Sequence, residues 1–130
     1  MQNKKLEKII SILIVVAVVG GLIFFFYNKS QEPGEYDEIA QCLTDKGVLM
    51  YGAWWCPHCE AQKDEFGKSF DLINYVECAL PGRQSGGQTE ECVDAEIKSY
   101  PTWKFPDGTV ITGEQSPNKL AEIAQCETQN

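Results

Sequence analysis

Two cysteines separated by two residues, in the segment Cys56-Pro57-His58-Cys59, give this chain its clearest chemical signal. The segment follows a short apolar run, Val48 to Trp55, and precedes a stretch whose spacing predicts a helix. Cysteines at this spacing can close a small disulfide, and a helix N-terminus supplies partial positive charge that favours a thiolate at the first of them. All four residues are therefore candidate catalytic residues for thiol–disulfide exchange.

The two cysteines are expected to have different roles. Disulfide exchange passes through a mixed disulfide, so one thiol must be accessible to substrate and the other must be held nearby. We expect Cys56 to be the exposed nucleophile and Cys59, one turn inside the helix, to be the resolving thiol. His58 is the only histidine in the chain. If protonated, it would stabilise the Cys56 thiolate and make the disulfide a stronger oxidant; the alternative is a solvent-exposed spacer.

An uncharged apolar run of nineteen residues, Ile9 to Tyr27, lies N-terminal to the motif. As a helix it would be roughly 28 Å long, close to the hydrocarbon thickness of a bilayer. The apolar region of a cleaved signal peptide is shorter, about 7 to 15 residues, and ends at a small-x-small site that is missing here. We therefore expect an uncleaved membrane anchor, with a removed signal peptide as the alternative. Lys4, Lys5 and Lys8 precede the run and only Lys29 closely follows it, which predicts a cytoplasmic N-terminus and an extracytoplasmic remainder.

These features predict four segments: a short cytoplasmic N-terminus (residues 1–8), the anchor (9–27), a linker (28–35) and a folded domain (36–130). From residue 28 onward the chain has eight Lys and Arg against eighteen Asp and Glu, a net charge of −10. Such an acidic domain would be repelled by phosphate backbones, so nucleic-acid binding is not expected. Solubility is the simpler explanation of the acid excess.

Apolar spacing and turn residues predict an α/β domain. The expected order is helix, strand, helix, strand, helix, β-hairpin and helix, over residues 36–46, 48–52, 61–70, 73–78, 92–97, 102–112 and from 117 onward. An early β-α-β portion followed by a hairpin and a covering helix gives a mixed sheet flanked by helices. Of the two adjacent tryptophans, we expect Trp54 to pack in the core and Trp55 to lie at the rim of the site.

All six cysteines follow the apolar run. An even number of cysteines in a small extracytoplasmic domain suggests disulfides. Once the motif cysteines are paired, the other four allow three connectivities. Cys78 and Cys92 flank a polar loop (residues 81–88), and Cys42 and Cys126 lie near the ends of the first and last helices of the domain. We therefore predict two structural disulfides, Cys78–Cys92 and Cys42–Cys126.

With a Cys-x-x-Cys site after a strand and a Tyr100-Pro101-Thr102 segment entering the hairpin, the domain resembles the thioredoxin superfamily. It is more closely similar to the thioredoxin-like domain fused to, or encoded as a partner of, bacterial and plant homologues of vitamin K epoxide reductase. The matching segments cover most of Gly47 to Cys126; they are MYGAWWCPHC (Met50 to Cys59), FG (Phe66-Gly67), YVEC (Tyr75 to Cys78) and SYPTW (Ser99 to Trp103).

The resemblance implies a thioredoxin-like fold and a cis peptide bond before Pro101, facing the disulfide. An ordinary trans proline is the alternative, although cis bonds are almost confined to X-Pro, where they cost about 0.5 to 1 kcal/mol. By the same resemblance, backbone groups of Tyr100 would be free to pair with an extended substrate chain. The expected substrate-binding residues are Trp55, Tyr100, Pro101 and Thr102.

The resemblance also implies a function. It suggests a membrane-anchored enzyme that oxidises extracytoplasmic protein thiols and passes the electrons to a vitamin K epoxide reductase-like membrane protein and on to a quinone. No metal and no bound organic cofactor is expected, because the dithiol itself holds the electrons. Many thioredoxins carry a buried acid six residues before the first motif cysteine, where this chain has Met50. This departure argues against fast, thioredoxin-style reduction but not against oxidation.

Two alternatives remain open from the sequence. The same site could run in reverse, as a disulfide reductase or isomerase, because the direction depends on its potential against its partners. A non-enzymatic alternative is a structural zinc module using Cys56, Cys59, Cys78 and Cys92. Zinc sites commonly have two closely spaced ligand pairs, and here only the first pair is close.

Overall fold

The computed structural model of the chain describes residues 2–30, 32–84 and 86–127. Four parts of the predicted segments lie outside the described residues: residue 1 of the N-terminus, residue 31 of the linker, residue 85 of the polar loop and residues 128–130 of the domain. The chain divides between Glu32 and Pro33 into two compact units.

The first unit is a single helix, α1 (Gln2–Ser30). Its part from Asn3 to Lys29 is long and apolar enough to cross a membrane, and the most apolar stretch of 18 residues has a mean hydropathy of 3.1. A lone helix can bury none of its apolar side chains within its own unit, and an apolar helix of this length is suited to lipid. The helix extends several residues beyond both ends of the predicted anchor, because the flanking polar residues continue the same helical turns.

The second unit contains four helices and four strands. The helices are α2 (Asp37–Asp45), α3 (Pro57–Phe66), α4 (Glu90–Asp94) and α5 (Pro117–Ala124). The strands are β1 (Leu49–Gly52), β2 (Tyr75–Glu77), β3 (Thr102–Lys104) and β4 (Val110–Thr112). A 3₁₀ segment, Gly67–Leu72, follows α3.

The strands form one mixed sheet in the order β2-β1-β3-β4. β1 pairs with β2 in parallel, with Met50 opposite Tyr75, and with β3 in antiparallel orientation, with Met50 opposite Trp103. β3 and β4 form the expected antiparallel hairpin. The mixed sheet flanked by helices confirms the predicted fold class.

Successive residues of β1 point to opposite faces of the sheet, and each face has its own apolar cluster. Met50 and Trp103 belong to the larger cluster, which also contains buried apolar residues of α2, α3 and α5. Tyr51 belongs to the smaller cluster, which contains Cys78 and Cys92. The candidate site therefore lies at the end of a strand whose two faces are both covered.

The helix predicted over residues 61–70 is placed differently in the structure. α3 begins at Pro57 and ends at Phe66, because Gly67 takes a φ of +56°, a conformation that favours glycine and ends the helix. Phe70 falls in the 3₁₀ segment instead, yet its ring still contacts that of Phe66 at a centroid distance of 6.4 Å. The short helix predicted near residues 92–97 similarly starts and ends earlier, and Glu96 follows it with a φ of +55°.

Two disulfides join distant parts of the second unit. Cys42 of α2 is bonded to Cys126, which follows α5, and Cys78 is bonded to Cys92 of α4. These are the two pairs that the sequence favours. The first joins residues 84 positions apart, and the second joins residues 14 positions apart.

Removing the long-range disulfide should destabilise the domain substantially. A cross-link over 84 positions is worth roughly 4 to 5 kcal/mol in the chain-entropy model. We expect the double variant Cys42→Ala/Cys126→Ala to lose stability of that order, measured by urea denaturation of the full-length chain in detergent with tryptophan fluorescence. When both proteins are fully reduced, neither retains a disulfide and the two curves should coincide. A difference below about 1 kcal/mol between the oxidised proteins would contradict the prediction.

Candidate active site

The two motif cysteines lie where β1 leads into α3. Cys56 is the residue that precedes the helix, with extended backbone angles, and Pro57 occupies the first helical position. The Cys56 carbonyl oxygen accepts hydrogen bonds from the backbone N–H groups of Cys59 at 3.0 Å and Glu60 at 3.1 Å. Proline has no N–H to lose at this position and its fixed φ suits the first turn. The site thus sits at the positive end of the helix dipole.

Both motif cysteines are free thiols, and both are buried. Cys59 has no exposed surface and Cys56 is 5% exposed, so the expectation of a well-exposed Cys56 is wrong. The reason is Tyr100, whose carbonyl oxygen lies 3.8 Å from Cys56 Sγ and whose ring contacts Trp55 edge-on at 6.0 Å. Cys56 is still the sulfur that a partner would reach first.

Burial gives Cys59 a strongly perturbed acidity. It raises the pKa of this thiol from 9.0 to about 12, while a hydrogen bond with the backbone of Ala53 opposes the shift. The side chain of Cys56 hydrogen-bonds the Cys59 thiol and adds to the increase in pKa. Met50, which replaces the buried acid of many thioredoxins, is fully buried on the same side of the sheet. Cys59 is therefore a neutral thiol at physiological pH.

The Tyr100–Pro101 peptide bond is cis. The Pro101 carbonyl oxygen accepts a hydrogen bond from Gly113 at 2.8 Å, whereas that of Tyr100 is directed at the Cys56 thiol. Thr102 is buried, and its hydroxyl donates to the Ser99 carbonyl oxygen at 2.7 Å. The segment that the resemblance assigns to substrate binding therefore lies beside Cys56. Within it, the buried Thr102 side chain bonds the preceding loop and is not exposed at the surface.

The two tryptophans that precede Cys56 are on the surface, with Trp54 44% and Trp55 36% exposed. The prediction that Trp54 packs in the core is wrong. β1 ends at Gly52, so the alternation of the strand no longer applies, and Ala53 takes the last buried position before the turn. Trp54 and Trp55 together form an apolar surface next to Cys56, of the kind that a docking partner covers.

A glutamate that the sequence does not single out holds His58. His58 Nδ1 and Glu114 Oε1 are 2.6 Å apart, although the two residues are 56 positions apart in the chain. His58 is 69% and Glu114 40% exposed at the side chain, so the pair itself contributes little to stability. Its effect is to orient the imidazole, because a hydrogen bond at one ring nitrogen determines how the other is presented.

Gln62 fixes the segment that contains Glu114. This side chain is fully buried, donates to the Gln115 carbonyl oxygen at 2.8 Å and accepts from the Gln115 backbone N–H at 2.7 Å. It also accepts from Trp103 Nε1 at 3.4 Å. Cys59, Gln62 and Phe66 are the buried residues of α3, at helical spacing. A glutamine within this apolar stripe was thus a signal in the sequence that a buried polar contact exists.

Tyr100 is held in place by Gln88, which lies in the polar loop (residues 81–88). Gln88 Nε2 donates to the Tyr100 hydroxyl at 2.6 Å and to the Ile97 carbonyl oxygen at 3.0 Å. Gln88 lies within the loop that the Cys78–Cys92 disulfide closes. The disulfide therefore stabilises the side of the site on which Tyr100 lies.

The zinc alternative loses two of its four ligands, because Cys78 and Cys92 are bonded to each other and offer no thiolate. Within residues 2–30, 32–84 and 86–127, no group of three or more His, Cys, Asp or Glu side chains is placed to hold a metal ion.

A dithiol at a helix N-terminus, at the end of a central strand and beside a cis-proline loop, is a thioredoxin-like site. Comparison with known proteins agrees: the chain is similar to the thiol-disulfide oxidoreductase LTO1 of Arabidopsis thaliana, with 41% identity over 87 residues. The match covers 65% of this chain and 23% of the plant protein, so the chain corresponds to less than a quarter of that relative. No family model matches the chain.

The acidity of Cys59 predicts how the stability of the reduced protein depends on pH. Because the folded-state pKa of about 12 exceeds the ordinary value of 9.0, the folded state holds this proton more tightly than the unfolded state. The resulting stability is fully present below about pH 9 and is lost as the pH rises towards 12. We expect the free energy of unfolding to fall between pH 9 and 10 by up to about 1.4 kcal/mol more than in Cys59→Ala.

The measurement is urea denaturation of the full-length chain at pH 8, 9 and 10, with the motif cysteines reduced. The tyrosines of the domain titrate in both proteins, so the comparison with Cys59→Ala removes their contribution. Equal pH dependence in the two proteins would show that Cys59 is not perturbed.

Proposed function

We propose that this protein is a membrane-anchored thiol–disulfide oxidoreductase that oxidises extracytoplasmic protein thiols through a Cys56–Cys59 disulfide. A vitamin K epoxide reductase-like membrane protein would reoxidise it and deliver the electrons to a quinone. The observation that supports the proposal most directly is the pair of free thiols at the N-terminus of α3, with Cys56 beside Tyr100 and Cys59 fully enclosed. The name of the plant relative supports the same class of reaction.

The proposed reaction uses only the two sulfurs of the site. A substrate thiolate attacks Cys56 Sγ, the Cys56–Cys59 bond breaks, and Cys59 leaves with the electron pair and takes up a proton. A second substrate thiolate then attacks the substrate sulfur of the mixed disulfide and releases the Cys56 thiolate. The substrate gains one disulfide and the site gains two electrons and becomes a dithiol. Reoxidation by the membrane partner reverses these steps against the partner's disulfide.

Two features, the N-terminus of α3 and His58, favour oxidation over reduction as the direction. The N-terminus of α3 and a protonated His58 would both stabilise the Cys56 thiolate. Because the thiolate belongs to the reduced form of the site, its stabilisation makes the disulfide a stronger oxidant. The exposed Trp54 and Trp55 offer a surface for protein substrates or for the membrane partner. Tethering to the same bilayer as that partner would raise their effective concentration for each other.

The reduction potential of the Cys56–Cys59 pair tests the direction. Equilibration of the full-length chain with thiol–disulfide buffers should give a value near about −120 mV, typical of an oxidant, and a value near about −270 mV would indicate a reductase. His58→Gln keeps a hydrogen-bond donor for Glu114 but cannot become a cation. We expect this variant to be more reducing by on the order of 30 mV, which corresponds to a tenfold change in the equilibrium constant.

A matched control is Lys119→Gln, which removes the Lys119–Glu122 ion pair on the surface of α5. It should leave the potential unchanged. If His58→Gln also leaves the potential unchanged, the histidine is a spacer and another feature must set the potential.

The proposed topology has its own test. Lysines cluster before the apolar run, so the positive-inside rule puts the N-terminus in the cytoplasm and the dithiol outside. In cells expressing the full chain, a membrane-impermeant maleimide should label Cys56 of Cys59→Ala without lysis. In a Cys56→Ala/Cys59→Ala background, the additional substitution Gln2→Cys should give labelling only after lysis. The opposite pattern would reject this orientation.

A further inference from the structure

A tyrosine and a glutamate of strand β2 lie next to the buried sulfur of Cys59. A β-carbon on Gly52 would lie 3.0 Å from Cys59 Sγ and 3.0 Å from Tyr75 Oη. Since Gly52 has no side chain, the thiol and the hydroxyl face the same small space. The sulfur and the hydroxyl oxygen are therefore at most about 6 Å apart, a separation that a single water molecule can bridge for proton transfer.

The Tyr75 hydroxyl is tied to the carboxylate of Glu77. Tyr75 Oη donates to Glu77 Oε2 at 3.0 Å. The other carboxylate oxygen, Oε1, accepts hydrogen bonds from the backbone N–H groups of Trp54 at 3.2 Å and Ala79 at 2.8 Å. These two backbone bonds fix the carboxylate, so that Oε2 remains directed at the hydroxyl.

Cys59 needs a proton acceptor during reoxidation. Its thiol is neutral at physiological pH, because burial raises the pKa to about 12, yet only its thiolate can attack the mixed disulfide on Cys56. In many thioredoxins a buried acid could take this proton, but the equivalent position here is Met50.

The other titratable groups around Cys59 and Tyr75 are poorly suited to accept the proton. They are Cys56, Glu60 and Lys63. Lys63, 4.8 Å from the centre of the Tyr75 ring, is a cation and has no free electron pair to accept a proton. The Glu60 carboxylate is already engaged with Lys63, which donates to Glu60 Oε1 at 2.9 Å. Cys56 is itself part of the mixed disulfide at this stage. Glu77, through Tyr75, is the acceptor that remains.

We propose that Tyr75 and Glu77 form a proton relay for Cys59, with Tyr75 as the group that exchanges the proton and Glu77 as the residue that positions it and acts through it. The inference rests on the proposed function, because it concerns the same dithiol. During resolution, the Cys59 proton passes to Tyr75 Oη as the tyrosine proton passes to Glu77 Oε2. The Cys59 sulfur bonds to Cys56 Sγ, and the partner sulfur leaves with the electron pair of the broken bond. Glu77 then releases its proton to solvent.

The relay can be tested by following the two steps of oxidation separately. The reduced full-length chain in detergent is mixed with an aromatic disulfide that releases a coloured thiolate. The first release reports attack by Cys56 and the second reports resolution by Cys59. In the wild-type protein, the rate of the second release should be nearly independent of pH from about 6 to 9, because the relay accepts the proton.

The variants Tyr75→Phe and Glu77→Gln should slow only the second release. Phenylalanine keeps the ring, and the glutamine amide keeps an oxygen for the backbone N–H groups, so both changes are conservative. We expect the second rate to fall by about hundredfold at pH 7, the lower end of the range of general acid–base catalysis. Its logarithm should then rise by about one per pH unit, since hydroxide must take the proton. The first release should keep the wild-type rate.

Tyr51→Phe and Glu91→Gln are the matched controls, because they make the same replacements in a tyrosine and a glutamate that interact on the other side of β1. Both should leave the two rates unchanged. The relay is rejected if Tyr75→Phe and Glu77→Gln retain the wild-type second rate and pH profile, or if they slow both releases equally. If the wild-type protein shows no second release at all, the Cys56–Cys59 redox pair fails, and the proposed function fails with it.

Discussion

The complete burial of Cys59 beneath the end of β1 is the constraint on which the rest of the site depends. α3 begins so soon after the strand that its first turn packs directly on the sheet, and Cys59 has no exposed surface. This burial leaves Cys56 as the sulfur that a partner can reach. It also keeps Cys59 protonated, which makes proton transfer a necessary part of every turnover. Position 52 requires glycine, because a β-carbon there would lie 3.0 Å from Cys59 Sγ.

The surroundings of this dithiol come from segments far apart in the chain, and each segment has a separate support. Gln88 holds Tyr100 against the site, and the loop that contains Gln88 is closed by a buried disulfide. Gln62 holds the segment that brings Glu114 to His58. The buried Gln62 amide is hydrogen-bonded at both its nitrogen and its oxygen, and its loss would be costly because it would leave backbone groups unpaired. The geometry around Cys56 is therefore fixed by contacts that do not themselves take part in the chemistry.

The parts of this structure that could be predicted from sequence are those encoded locally. The Cys-x-x-Cys spacing, the glycine and proline turns and the apolar periodicity indicated the site and the order of elements, and the mixed sheet confirms the fold class. The prediction that Trp54 is buried was wrong, because β1 ends at Gly52 and the alternation of side chains in a strand does not predict which way a residue beyond its end points. Glu114 could not be predicted, because its contact with His58 joins residues 56 positions apart. The coverage of Cys56 by Tyr100 depends on the same kind of long-range packing.

The replacement of a buried acid by Met50 has a structural counterpart on the neighbouring strand. Met50 and Tyr75 are directly opposite each other in the parallel pairing of β1 and β2. β1 is a central strand, whereas β2 is at the edge of the sheet and its three residues are each partly exposed. An acid at Met50 would exchange protons with solvent only through the packed interior. A carboxylate at Glu77 can do so at the surface while its hydrogen bond still reaches the Tyr75 hydroxyl. The buried thiol can therefore lose its proton without the core having to open.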